Sequence, residues 1–124
     1  MKNLDQIRAE NALKAAESTT FSGAEGGSIV KKIPTMIREN GLLGALAFAC
    51  EKNNKGEFKS GDHHKVFEKI MEHLRDSRIN LLPASAGHSA DDFLSHAAEV
   101  SSAELRALTD ESMAYLAFFR RFAS

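Results

Sequence analysis

Apolar positions along this chain recur at helical spacing, and no segment shows the period-two alternation of a half-buried strand. The clearest stripe is Val66, Phe67, Ile70, Met71 and Leu74, on a helix that Asp62 is placed to cap. Another stripe, Leu105, Leu108, Tyr115, Leu116, Phe119 and Phe122, follows the capping-box sequence Ser101-Ser-Ala-Glu104 and predicts a helix running nearly to the end. Its outer face carries Arg106, Asp110 and Arg121, with Arg120 at the edge. Between Lys31 and Cys50, Ile33 and Ile37 share a face with Val30, while Lys31, Thr35 and Arg38 lie opposite. Pro34 predicts a kink in that helix. Asn40-Gly41 suits a helix end. Leu42 to Cys50 then has no polar side chain and no β-branched residue, which predicts a short helix buried all round, with Leu46 and Phe48 in the core.

The remaining segments are less periodic. Asn3-Leu-Asp-Gln6 resembles a capped start, and the helix that follows extends to about Ser18 with a blurred face. Leu4 and Ile7 point one way and Leu13 nearly the other. That pattern fits a helix clamped between two neighbours, or one offering apolar surface to another protein. Ser18 to Ser28 reads as a loop, and Glu51 to Asp62, with its lysines balanced by acids, as a solvated and mobile one. Pro83 and Gly87 mark a connection. Ser89 then caps a short helix with Asp91 and Asp92 in its first turn and Phe93, Leu94 and Ala97 facing inward. The expected fold is all-α, a compact single-domain bundle of five to six helices over residues 1–124.

Composition adds mainly exclusions. A net charge of −1 means that any electrostatic site is a local patch. The lone Cys50, within the most apolar run, reads as a small core residue. Charges at Lys2, Asp5, Arg8 and Glu10 argue against a signal peptide, and no apolar run reaches membrane-spanning length, so a cytoplasmic location is expected. The five histidines are His63, His64, His73, His88 and His96, and none has a partner across one helical turn as zinc pairs do. They read as surface or cap-region residues, and no metal site is expected. Gly23, Gly26 and Gly27 lack the Gly-Lys-Ser/Thr of a phosphate loop, and no elbow motif frames a serine. The chain reads as non-enzymatic, with no cofactor. What remains is basic side chains on helix faces: Lys31, Lys32 and Arg38, then Arg106, Arg120 and Arg121.

The run Lys32-Ile-Pro-Thr-Met-Ile-Arg-Glu-Asn-Gly-Leu-Leu-Gly-Ala-Leu-Ala-Phe48 resembles the signature of the small helical subunit of the type III-B CRISPR effector, the Cmr complex. Ser102 to Glu111, Tyr115-Leu and Phe119-Arg-Arg-Phe-Ala123 are similar to that family's last helix, and Arg8-Ala9 with Ala12-Leu13 to its first. The resemblance implies a helical protein without nuclease activity. Its copies would line up as a secondary filament along the crRNA-bearing backbone, beside the other effector subunits, and help hold the target RNA. The six basic residues would then contact phosphates. The blurred first helix and the outer face of the last are the candidate surfaces between copies. The rival reading is a purely structural adaptor with no nucleic-acid contact.

Overall fold

The computed structural model describes residues 2–21 and 28–123. Within them the chain forms α1 (Leu4–Ser18), α2 (Ile29–Cys50), α3 (His63–Arg75), α4 (Ala90–Glu99) and α5 (Ser102–Phe122), with a single 3₁₀ turn at Ala84–Ala86. The only β-type pairing among the described residues is an isolated bridge between Lys52 and Phe58. The all-α expectation holds. Residues 22–27 of the expected Ser18–Ser28 loop lie outside the described residues.

Helix α2 is the centre of the bundle. It packs against α3, α4 and α5, while α1 lies along α5 and more lightly on α3. Ile33, Pro34 and Ile37 are buried under the first half of α2, with Lys31, Thr35 and Arg38 exposed above them. The helix passes through Pro34, and its non-helical residue is Gly41, at φ 74 and ψ 167. That backbone region is open essentially to glycine alone, so the break falls there rather than at the proline. The α3 stripe from Val66 to Leu74 is fully buried, as its period predicts. Asn3 and Ser89 close reciprocal capping boxes with Gln6 and Asp92. Ser101 accepts the Glu104 N–H.

Three expectations about particular side chains fail. Leu46 is buried, but Phe48 is 46% exposed, and Gly44 and Ala47 beside it are open as well. The second half of α2 is therefore covered on one side only. Phe122, in the last turn of α5, is also exposed. Asp62 makes no side-chain cap bond; its carboxylate pairs with Lys65 at 3.4 Å instead. The Glu51–Asp62 loop is largely exposed, as expected of a solvated one, and it also bonds internally. Asn53 Oδ1 accepts the N–H groups of Lys55 and Glu57, Phe58 stacks on His64 at 3.8 Å, and Lys52 lies over the Phe58 ring.

Candidate nucleic-acid interface

All six basic residues singled out from the sequence are exposed. Lys31 and Arg38 are two turns apart, so they share a face about 10 Å long. Arg38 donates to Thr35 Oγ1 at 3.1 Å, which holds the guanidinium along that face. Lys32 sits on the flank and borders an open groove of about 800 Å³ with Met36, Gly44, Ala47, Phe48 and His63. The His63 ring packs edge-on to Phe48 at 5.5 Å, with its Nδ1 2.7 Å from the Ser60 carbonyl. Burial, with Lys32 nearby, lowers the His63 pKa below the ordinary histidine value.

On α5, Arg106 borders a second groove, of about 430 Å³, where Gly41 breaks α2. Asn40 lines both grooves, so Arg106 and the basic end of α2 flank one region of the molecule. Asp110 lines the same groove as Arg106 and weakens its local field. Arg120 and Arg121 lie about 20 Å further along α5, four turns away. Arg106 thus lies beside the Asn40–Gly41 break of α2, and Arg120 and Arg121 lie at the far end of α5.

The densest charge arrangement faces inward, and the sequence did not suggest it. Arg8 of α1 donates from Nε and Nη2 to the two oxygens of Glu111, each at 2.7 Å. His73 Nε2 lies 2.9 Å from Glu111 Oε2. The Asn11 amide nitrogen lies 2.9 Å from His73 Nδ1 and donates to Asp76 Oδ2 at 3.0 Å. Asp76 in turn holds Arg78, which reaches Glu10. Far from a surface residue, His73 is 1% exposed and stacks on Tyr115 with ring centroids 4.4 Å apart.

The protons in this cluster are fixed by its geometry. The Asp76 carboxylate only accepts, and its pKa is held low, chiefly by the hydrogen bond from Arg78. It therefore takes the amide nitrogen of Asn11 rather than its oxygen. The second hydrogen of that nitrogen faces His73 Nδ1, which must accept, so the imidazole proton is on Nε2 and is donated to Glu111. Burial pushes the His73 pKa below its ordinary value. Burial pushes Glu111 up, but the hydrogen bonds from Arg8 and His73 outweigh it and leave the carboxyl below the usual glutamate range.

Among the described residues, no group of three or more His, Cys, Asp or Glu is placed to hold a metal. Cys50 is buried, and desolvation, helped by Asp91, pushes its thiol up to about 11. Among the described residues, no helix is long and apolar enough to cross a membrane.

Residues 4–124 match the family model described as CRISPR-associated protein (Cas_Cmr5). The fold is similar to the crystal structure of a CRISPR-associated Cmr5 family protein from Thermus thermophilus, with a TM-score of 0.69. That similarity covers 98% of this chain and 95% of the other at 21% identity, so it speaks for the fold alone. No curated protein matches the chain.

Proposed function

Because this chain belongs to the Cmr5 family, the small subunits of the type III-B Cmr complex, we propose that it is a non-catalytic, single-domain subunit that helps hold target RNA in that complex. Copies stack head to tail beside the crRNA-bearing backbone in the cytoplasm, and their basic helix faces meet the phosphates of the target strand. The observation that carries this reading is the exposure of Lys31, Lys32, Arg38, Arg106, Arg120 and Arg121 on helices whose opposite sides bury the core. Phosphate contacts from each copy are weak alone and add along one strand. An open stack needs two different surfaces per copy. Helix α1, with Leu4 and Leu13 exposed on different sides, and the outer face of α5 are the candidates.

The adaptor reading, without RNA contact, draws on a different observation, the half-exposed Phe48 in its apolar groove. The two readings separate when the complex is reconstituted with and without this subunit. The RNA-holding role predicts that omission weakens target-RNA binding at least tenfold while crRNA stays bound. Unchanged target affinity in a complex that has lost only cohesion supports the adaptor.

A further inference from the structure

Helix α1 packs most extensively along α5, and a set of polar contacts ties it to both α3 and α5. Its buried apolar side chains are Ile7, Ala12 and Ala15, while Leu4 and Leu13 face outward. Most of the other core side chains, from Phe67 and Phe93 to Leu116 and Phe119, belong to α2–α5, which also pack against one another. The polar ties of α1 are Arg8 on Glu111, Asn11 between His73 and Asp76, and Arg78 on Glu10. Both His73 nitrogens are committed, one donating to Glu111 and the other accepting from Asn11. A second proton, on Nδ1, would point at the Asn11 N–H, and that amide cannot turn without presenting its oxygen to the Asp76 carboxylate. The cluster therefore admits only the neutral imidazole.

We propose that the Asn11–His73–Glu111 chain is a proton-operated latch: protonation of His73 releases α1 from α3 and α5 while α2 to α5 stay folded. The groups facing the imidazole are Arg8, Asn11 and Lys14 from α1, Lys69, Glu72 and Asp76 from α3 and its end, and Glu111 and Tyr115 from α5. Glu111 and Asp76 favour the charged ring, Arg8 opposes it, and burial outweighs them all. A histidine whose pKa is lowered in the folded state stabilises that state above its unfolded value of about 6.5 and progressively less as pH falls below it. Glu111, also lowered, works in the same sense at more acid pH.

The test is hydrogen exchange of the full chain between pH 7.5 and 5, corrected for the intrinsic pH dependence of exchange. Protection of α1 amides should fall about tenfold per pH unit below roughly 6.5, as one proton taken up on opening requires. Amides in α2 and α4 should keep their protection. In His73→Gln, which can donate to Glu111 and accept from Asn11 without titrating, the α1 slope should vanish. This variant leaves His63, His64, His88 and His96 in place. Flat α1 protection in the wild type, joint loss in α1 and α2, or a slope that survives His73→Gln each overturn the latch. If the variant does not fold, NMR of the wild-type imidazole decides. A neutral Nε2–H ring at pH 6 while α1 is protected supports the latch, and a charged ring with α1 still protected overturns it.

Discussion

Glu111→Ala should lower stability by about 3 kcal/mol, at the lower end of the cost of breaking a buried ion pair. The carboxylate accepts from Arg8 at 2.7 Å through each oxygen and from His73 at 2.9 Å. Its removal strands a guanidinium whose side chain is only 18% exposed and a histidine that is fully enclosed. Arg8 keeps Asp5 at 3.0 Å and some access to water, which moderates the loss. For a chain of this length, the melting temperature should drop by roughly 10 °C. Glu111→Gln, which keeps an acceptor oxygen, should fall between the two. A drop below about 3 °C for Glu111→Ala in a thermal melt would mean that the cluster contributes little and that α1 is held by other contacts.

Leu46→Ala and Phe48→Ala should part company, although both residues lie in the same apolar run. Leu46 is fully enclosed, so its truncation should cost about 2–5 kcal/mol in urea unfolding, depending on how far the bundle collapses. Phe48 would cost about 3–5 kcal/mol if it were core. With nearly half of it in water, it should cost less than about 1 kcal/mol. Equal losses at the two positions would place Phe48 inside the bundle and close the groove described above.

The contrast between those two residues marks how far the fold can be read from the sequence. Period and capping chemistry are local, and they located the starts of α4 and α5, the buried stripe of α3 and the Gly41 break. Burial is not local. Nothing in Leu42–Cys50 says that neighbours cover one side of that helix and leave Phe48 outside. The six basic residues were legible as exposed for the same local reason, since each lies opposite an apolar stripe or, for Lys32 and Arg120, at its edge. Which of them lie near one another depends on how α2 and α5 pack. The Arg8–Glu111 pair joins residues 103 apart in sequence, which no periodicity reports. A partial signal was present. Glu111 and Ser112 occupy the i+3 and i+4 positions after Leu108 on the inner stripe of α5, and a charged residue there calls for a buried partner.

Whether this subunit holds target RNA through its basic faces is decided by neutralising one of them. Lys31→Gln with Arg38→Gln removes two exposed charges from the outer face of α2, opposite Ile33 and Ile37. The melting temperature should therefore hardly move, since such changes usually stay within about 0.5 kcal/mol. Target-RNA binding by complexes assembled with the wild-type or variant subunit is then measured by anisotropy across a salt series. Binding should weaken for every target sequence alike, because phosphates carry no sequence and pairing with the guide reads the bases. The salt slope should become shallower by roughly 0.7 for each phosphate that the variant no longer touches. Intact assembly with unchanged affinity and unchanged slope would mean that this face does not hold the target strand.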